Sequence, residues 1–308
     1  IPYVRTPNVK NTRLILDESL RVDEATYKEW TKRIEPKPYD IILCREAPVG
    51  DSAMILDNQK VCLGQRTVLI RSNKEKIYPK YLLFLLNSPK VKHELLSNSG
   101  GTHVDHLNMK DIRNLKVQIN HSYDEQKIIG DFLFNLNSQI HSIENQNKLL
   151  EQMAQAIFKS WFVDFDGVTE WDDSELGKIP KGWSVEKLGN ISNVKSGKRL
   201  PKGEKLVENK TSHPYIRIKD LKNGTINQEN LLYLEKSTFE QISKYIITSN
   251  DLYISIVGTI GLVGFVPEKL DNANLTENCA RLTDFTDVKK EFLYYFLNSQ
   301  LGKDQIKK

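Results

Sequence analysis

The residue types and their spacing mostly exclude a catalytic function for this chain. No Asn-Pro-Pro-Tyr or Asp-Pro-Pro-Tyr segment is present to hold a flipped adenine for methylation. The sequence has no Gly-Lys-Ser/Thr loop to cradle phosphates, and no glycine-rich turn after a predicted strand to bind a cofactor. We therefore predict neither catalytic residues nor a bound cofactor in this chain.

Metal-binding residue types are present, but their spacing does not suit a metal site. Asp23 and the Glu35-x-Lys37 segment imitate a nuclease carboxylate pair without the strand context that such a site needs. His103 and His106 lack a third ligand at a matching spacing, so we interpret them as loop histidines. The three cysteines are widely spaced, which argues against a disulfide framework and indicates a reducing compartment, the cytoplasm.

Basic and amide side chains form the pattern that does suggest a function, which is DNA binding. Phosphates are contacted by Lys, Arg and short polar donors, whereas base edges are read by Arg, Asn, Gln and Thr. The net charge of +4 is compatible with a nucleic-acid partner, and no apolar run approaches the length of a membrane span. The predicted DNA contacts are Arg5, Asn8, Lys10, Arg13, Arg45 and Arg66 in the front half and Lys195, Lys198, Arg199, Lys202, Arg217, Lys219, Lys222, Asn274, Thr276 and Asn278 in the back half.

Each of these residues also has a structural interpretation. A single Lys or Arg is more often a solvated surface residue than a DNA contact. Arg5 and Arg217 are stronger candidates because a sequence repeat places arginine at the same position twice. Even so, arginine at this position can also pin a loop through a carboxylate. Tyr3 and Tyr215 are interpreted as core residues, not as stacking platforms for bases.

The repeat relates the two halves of the chain. Residues 1–5, Ile-Pro-Tyr-Val-Arg, correspond to residues 213–217, His-Pro-Tyr-Ile-Arg, at an offset of 212. Further along, Leu-Leu-Asn-Ser at 85–88 corresponds to Phe-Leu-Asn-Ser at 296–299, at an offset of 211. A near-constant offset over this span indicates that one domain has been duplicated.

Each copy is predicted to be an α/β domain in which short strands precede a helix. In the second copy the strands are residues 252–257 and 261–266, and the helix is residues 289–301. In the first copy residues 79–86 form the corresponding helix, and the alternating residues 115–119 are predicted as a closing strand.

A long helix over residues 122–161 is predicted between the copies. Apolar residues recur at two heptad positions, which is typical of a coiled coil, and Ser122 with Glu125 forms a capping box. At 1.5 Å per residue the helix would be roughly 60 Å long. Asn147, a polar residue in the apolar seam, is predicted to fix register. The predicted subunit interface consists of Leu133, Leu136, Ile140, Ile143, Asn147, Leu150, Ile157, Trp161 and Phe162.

Four segments, in this order, resemble the DNA-specificity subunit of type I restriction–modification systems. Asp124-Glu125-Gln126 opens the long helix, and Trp161-Phe162-Val163-Asp164-Phe165 closes it. Ile179-Pro180-Lys181-Gly182-Trp183 and Pro214-Tyr215-Ile216-Arg217 follow. The resemblance implies a non-catalytic subunit with two target-recognition domains, each reading one half of a bipartite DNA site. Helical spacers would separate the two domains and set the gap.

The resemblance also implies partners. Modification subunits that methylate adenine would dock on the chain, and restriction subunits would join through the complex. S-adenosylmethionine, ATP and Mg²⁺ are then expected on those partner subunits only. The aromatic run 161–165 either closes the coiled coil onto the second domain, which we favour, or docks a modification subunit. Two alternatives remain: the DNA-recognition portion of a single-chain methyltransferase–endonuclease, and a coiled-coil scaffold that binds no DNA.

The predicted domain organisation has four parts: a first recognition domain, 1–119; a coiled-coil spacer, 120–166; a surface-loop linker, 167–182; and a second recognition domain, 183–308. The first copy lacks a counterpart of residues 182–197, and no second spacer helix follows the second copy. We therefore expect the complete protein to continue at both ends. Without the second helix, the apolar seam is expected to pair antiparallel with a second copy of the chain.

Overall fold

A computed structural model of the protein describes residues 1–97 and 106–307, so His103 lies outside the described residues. The chain forms two compact units, Ile1–Gln146 and Asn147–Lys308. The boundary between them falls inside one long helix. In the described ranges, no helix is both long and apolar enough to cross a membrane.

The first unit is built around strand Ile41–Cys44, which is buried on both faces. Because side chains alternate along a strand, Ile41 and Leu43 pack with Leu83, whereas Ile42 and Cys44 pack in a second cluster with Val4. The elements in chain order are β1 (Tyr3–Val4), β2 (Val9–Lys10), β3 (Arg13–Leu14), α1 (Glu24–Trp30), β4 (Ile41–Cys44), β5 (Ser52–Met54), β6 (Cys62–Leu63), β7 (Thr67–Ile70), α2 (Pro79–Leu86), α3 (Pro89–Ser97), α4 (Met109–Asn114) and α5 (Tyr123–Phe162), which continues into the second unit.

The second unit has the same plan around strand Leu252–Ser255. Leu252 packs with Leu293, and Tyr253, on the opposite face of the strand, packs with Ile216. The elements are β8 (Trp171–Ser174), β9 (Gly177–Pro180), α6 (Leu188–Ile191), β10 (Asn193–Ser196), β11 (Pro214–Ile216), β12 (Leu221–Lys222), β13 (Thr225–Ile226), β14 (Leu232–Tyr233), β15 (Ile246–Ile247), β16 (Leu252–Ser255), β17 (Val263–Phe265), β18 (Ala273–Leu275), β19 (Cys279–Thr283), and helices α7 (Lys236–Ile242), α8 (Lys290–Asn298) and α9 (Gln300–Ile306).

Strand pairing confirms the duplication. In the first unit β1 runs parallel to β6, with Tyr3 opposite Cys62. In the second unit β11 runs parallel to β18, with Tyr215 opposite Asn274, so both partners are shifted by 212 residues. The antiparallel pairs β4–β5 and β16–β17 correspond in the same way, at an offset of 211. Both copies therefore have the predicted mixed α/β architecture.

The copies differ at one sheet edge. In the second unit the strand order is β10-β19-β16-β17, so β10 covers the edge of β19. In the described part of the first unit the order is β5-β4-β7, and β7, the equivalent of β19, is an edge strand. By the repeat offset of 212, residue 1 corresponds to residue 213, so the residues of β10 lie outside the part of the repeat that the two copies share.

Three predicted elements are wrong. Residues 115–119 form no strand; Leu115 and Val117 pack on the first core from extended chain. Within the predicted loop 167–182, β8 and β9 pair as a hairpin. The predicted helix 289–301 is two helices, α8 and α9, because the backbone of Ser299 is extended (φ −69°, ψ 163°). The Ser299 hydroxyl then caps α9 by accepting a hydrogen bond from the Gly302 amide at 3.2 Å.

Helix α5 confirms the predicted long helix, and three residues instead of two cap its start. The Ser122 hydroxyl accepts a hydrogen bond from the Glu125 amide at 3.3 Å, which is half of the predicted capping box. Asn120 supplies the other half. Its side chain accepts from the Ser122 amide at 2.9 Å and donates to the Glu125 carboxylate at 2.5 Å.

The predicted seam of α5 is exposed to solvent along most of its length. The exposed fractions are 46% for Leu136, 48% for Ile140, 56% for Ile143, 61% for Leu150 and 48% for Ile157. Because burial of an apolar face is the main source of stability of such helices, this face is suited to packing against another helix.

Candidate nucleic-acid interface

Three polar loops of the second unit meet at the end of the sheet where β16 finishes. They are the basic loop after β10 (197–202), the turn after β11 (217–220) and the loop after β18 (276–278). The Lys198 amide donates to the Leu275 carbonyl at 2.8 Å, and the Thr276 amide donates to the Ile216 carbonyl at 3.0 Å. These backbone bonds bring together most of the predicted DNA contacts of this unit.

The basic loop is held close to the loop after β18, and a glycine makes this possible. A Cβ at Gly197 would overlap the carbonyl oxygens of Leu275 and Thr276, so only glycine fits there. Lys198, the next residue, is exposed, and its ammonium lies 5.4 Å from the centroid of the Tyr245 ring. Lys202 is also exposed. The fold thus presents lysines on a backbone that is fixed.

Arg199 is paired with a carboxylate at this end of the unit. Its Nε lies 2.7 Å from Oε1 of Glu277, and 79% of the arginine side chain is exposed. Partial burial acts to raise the pKa of Glu277, but hydrogen bonds from Arg199, from the backbone amide of Glu277 itself and from Thr276 outweigh it, so the pKa is lowered overall. An exposed ion pair of this kind contributes little stability, so Arg199 can exchange its partner for a phosphate at low cost.

Arg217 binds a carboxylate within the protein and pins a loop, which is the structural interpretation given above for an arginine at this position. Its Nε and Nη2 each donate to a carboxylate oxygen of Asp220 at 2.8 Å, and Nη2 also donates to the Asn230 carbonyl at 2.7 Å. Only 16% of the side chain is exposed. This bidentate pair closes the turn that follows β11.

Arg5, the equivalent residue of the first unit, is exposed and forms no side-chain hydrogen bond to any described residue. The reason lies three residues later, where Asn8 replaces Asp220. The Asn8 side chain accepts from the Arg5 amide at 3.0 Å and donates to the Ile15 carbonyl at 3.2 Å. Its neutral amide offers no carboxylate to hold the guanidinium.

Three predicted DNA contacts are buried and must be corrected. Asn274 has no exposed surface, and its amide donates to the Ile242 carbonyl at 2.8 Å. Asn8 is 9% exposed, and Thr276 is 6% exposed with its hydroxyl donating to Glu277 at 2.9 Å. The two asparagines satisfy backbone groups inside the unit and Thr276 bonds to a neighbouring carboxylate, so we remove all three from the candidate contacts.

Other basic candidates of the first unit are tied to neighbouring groups. Arg13 donates from Nη2 to the Ser138 hydroxyl at 2.6 Å, and burial lowers its pKa. Arg45 donates from Nε to the Leu107 carbonyl at 2.8 Å. Arg66 pairs with Glu46 at 2.9 Å. Arg66 is nevertheless exposed along 66% of its side chain and remains accessible to DNA.

The remaining candidates lie on the surface. Lys195 has a long ion pair, 3.5 Å, with Asp284, and Asn278 is half-buried. The other exposed candidates form no ion pair with a described residue, which leaves their charge available for phosphates. They are Arg5, Lys10, Lys198, Lys202, Lys219 and Lys222.

Aromatic side chains pack around the last turn of α5 within the second unit. Phe158 lies 5.2 Å from Phe292 and 5.0 Å from Phe162, measured between ring centroids. Trp183 lies 6.2 Å from Phe162. This packing agrees with the favoured interpretation that the aromatic run 161–165 closes the helix onto the second domain. Trp161 points outward, with 62% of its surface exposed, and keeps the docking interpretation open for that residue.

Comparison with known proteins gives consistent similarities. A family model described as the type I restriction modification DNA specificity domain matches residues 1–152 and 180–308. The chain is 30% identical over 230 residues to the type I restriction enzyme MjaIX specificity subunit of Methanocaldococcus jannaschii, covering 73% of this chain and 52% of that protein. It is 25% identical over 285 residues to the EcoBI specificity subunit of Escherichia coli, covering 85% of this chain and 57% of that protein.

A solved structure is similar in fold. The crystal structure of the S subunit of a type I restriction–modification system from M. genitalium matches 99% of this chain and 75% of that chain, with a TM-score of 0.54 and 14% sequence identity. The chain thus spans just over half the length of the two curated relatives named above.

Proposed function

Because the chain belongs to the family of type I restriction–modification DNA specificity proteins, we propose that it reads duplex DNA for a multisubunit restriction and methylation complex. Each unit contacts one half of a bipartite site, and helix α5 sets the gap between the halves. The chain performs no chemistry itself. Adenine-methylating modification subunits with S-adenosylmethionine, and restriction subunits with ATP and Mg²⁺, act on the DNA that it selects.

One observation carries this proposal: the convergence of the three polar loops at one end of the second unit. The backbone bonds between residues 198 and 275, and between residues 276 and 216, fix their positions. Lys198 and Lys202 are exposed there without ion pairs to described residues. Fixed cations at one end of a domain supply phosphate contacts, and half-exposed polar groups between them supply base contacts.

The test compares two double variants, one that removes two lysines from this end of the second unit and one that removes two lysines from the opposite end. Lys198→Ala with Lys202→Ala is expected to weaken binding to all duplexes and to reduce the slope of log K against log salt by about two, because each phosphate contact contributes about one. Fluorescence anisotropy with a labelled duplex at several salt concentrations measures both quantities.

The matched control is Lys269→Ala with Lys289→Ala. Both lysines are exposed and lie near the start of β16, at the opposite end of the strand. The control is expected to keep the wild-type salt slope. Equal slopes for wild type and both double variants would show that the basic loop is not at the DNA.

A further inference from the structure

An apolar patch lies beside the polar loops of the second unit. The loop between β16 and β17 exposes 42% of Ile256, 50% of Val257 and 53% of Ile260. We name these three residues the apolar tip. Three large aliphatic side chains exposed together within five residues of this seven-residue loop indicate a contact with another molecule.

The apolar tip is held outward by its own hydrogen bonds. Ser255, at the base of the loop, has no exposed surface. Its hydroxyl donates to the Thr259 carbonyl at 2.5 Å and accepts from the Leu262 amide at 2.8 Å, while the Gly261 amide donates to the Ser255 carbonyl at 2.9 Å. A loop fixed in this way loses little conformational entropy on binding.

The tip is continuous with the proposed DNA interface. The amides of Ile256 and Val257 both donate to the carbonyl of Asn278, at 2.9 and 3.3 Å. On the other side, a Cβ added at Gly258 would lie 3.7 Å from Cδ1 of Ile218, the residue that precedes the exposed Lys219. Lysines beside the tip favour a polyanion over an apolar protein surface as its partner.

The first unit has the same loop with different chemistry. There the Gly50 amide donates to the Cys44 carbonyl at 3.0 Å, as Gly261 does to Ser255. Arg45 stands where the second unit has Ile256, and Glu46 bonds to His106 at 2.7 Å. One backbone scaffold thus carries charged residues in one copy and aliphatic residues in the other, as expected if the two copies read different bases.

We infer that the apolar tip contacts thymine methyl groups in the major groove of the half-site read by the second unit, an inference that rests on the proposed function. The thymine methyl is the apolar group that base edges display in that groove. Burial of each contacted methyl group contributes about 0.8 kcal/mol to the binding free energy, which is about fourfold in affinity.

The experiment changes the DNA, so it does not depend on the folding of a variant. The 308-residue chain enriches a duplex from a randomised library, and that duplex is synthesised with thymine or with deoxyuridine, which lacks only the methyl group. Wild-type affinity is expected to fall about fourfold for each contacted thymine replaced. The replacement is expected to matter in one half-site only.

Protein variants then assign the effect to the tip. Ile256→Ser with Ile260→Ser, and separately Val257→Thr, which keeps the side-chain shape, are expected to bind the thymine and deoxyuridine duplexes with more nearly equal affinity. Leu176→Ala, at the exposed turn between β8 and β9, is the control and is expected to keep the full difference. Thermal unfolding checks that each variant is folded.

The outcomes separate this inference from the proposed function. If the chain selects a sequence but binds the thymine and deoxyuridine duplexes with equal affinity, the tip contact is overturned and the proposed function stays intact. Insertion of the tip between base pairs as a wedge would also give this result. A methyl effect that persists in every tip variant assigns it to other residues and overturns the inference. A chain that selects no sequence from the library overturns both.

Discussion

At the scale of single residues, Arg217 and Arg5 occupy equivalent positions but have different surroundings. The carboxylate of Asp220 holds Arg217 through two hydrogen bonds, whereas Asn8 leaves Arg5 exposed. Asp220 itself is only 5% exposed, so loss of the guanidinium would leave a buried carboxylate with fewer partners. The two arginines therefore form a natural pair for comparison within one chain.

We expect Arg217→Ala to lower the free energy of unfolding by about 2 kcal/mol, since hydrogen bonds to charged groups contribute about 1.5–3 kcal/mol. Arg5→Ala should change it by less than about 0.5 kcal/mol, as is usual for exposed side chains. Urea unfolding of both variants measures the difference. If Arg217→Ala instead keeps its stability and loses about 1–3 kcal/mol of binding to the cognate half-site alone, the residue reads a base.

Sequence reasoning found residue types suited to DNA contact, but it could not separate surface from interior. Asn274 lies on β18, a strand on which Ala273 and Leu275 are also buried, so its environment depends on strands that flank it on both sides. Pairing partners of this kind are far apart in sequence. The apolar tip was missed for a related reason, because short aliphatic runs in a strand-rich segment usually indicate core.

At the scale of elements, the first half of α5 is fixed to α2 by polar contacts. Asp131 accepts hydrogen bonds from the Lys80 ammonium at 2.7 Å and from the Tyr78 hydroxyl at 2.9 Å. Gly130, the preceding residue, lies so close to α2 that a Cβ would be 2.7 Å from the Tyr81 amide nitrogen. The hydrogen bond from Lys80 is the main cause that lowers the pKa of Asp131.

Asp131→Asn is therefore expected to lower the free energy of unfolding by about 1 kcal/mol at pH 7, a modest value because the pair is partly exposed. The pKa of Asp131 is lower in the folded protein than in the unfolded chain. The stabilisation is thus fully present above the unfolded value of about 3.9 and is lost as the pH falls through the folded value.

Urea unfolding at pH 7 and near pH 2.5 measures the change, with Lys80→Met and the double variant completing a cycle. A stability difference between wild type and Asp131→Asn that is as large at low pH as at pH 7 would contradict an ionic contact. It would indicate instead that the shape of the side chain is what matters.

Periodicity predicted α5 well because a heptad pattern is a local property of the sequence. The breaks in other elements depend on single residues that periodicity does not register. Ser299 divides α8 from α9 although apolar residues continue on both sides of it. The hairpin β8–β9 was missed because most of its residues are exposed, so no apolar alternation marks it.

At the scale of the whole molecule, the exposed seam of α5 leads us to expect that the 308-residue chain self-associates at tens of micromolar. Sedimentation equilibrium measures this directly. Leu150→Glu should abolish association by placing a charge in an apolar contact, whereas Lys148→Glu, outside the heptad positions, should not. Asn147→Leu should raise the thermal unfolding temperature while allowing more than one register. A folded monomer at these concentrations would disprove the expectation.

Helix length should determine which DNA gap the protein prefers. Deletion of residues 139–145 removes one heptad and shortens α5 by roughly 10 Å, at 1.5 Å per residue. The preferred gap between half-sites should then decrease by about three base pairs, at 3.4 Å each. Selection from libraries with graded gaps measures the preference, and an unchanged gap would show that α5 does not set the distance.

Because α5 is unbroken from Tyr123 to Phe162, its length is coupled to its angular phase. Each added residue advances the helix by about 1.5 Å and also rotates all that follows by about 100°. Seven residues rotate it by about 700°, within about 20° of two full turns, so a heptad change preserves the direction in which the seam faces. A one-residue change would turn the part of the seam that follows it by about 100°, out of line with the part before it. The lengths of spacer helices in functional relatives should therefore differ by nearly whole helical turns. The DNA gaps that such proteins can span would then change in steps and not continuously.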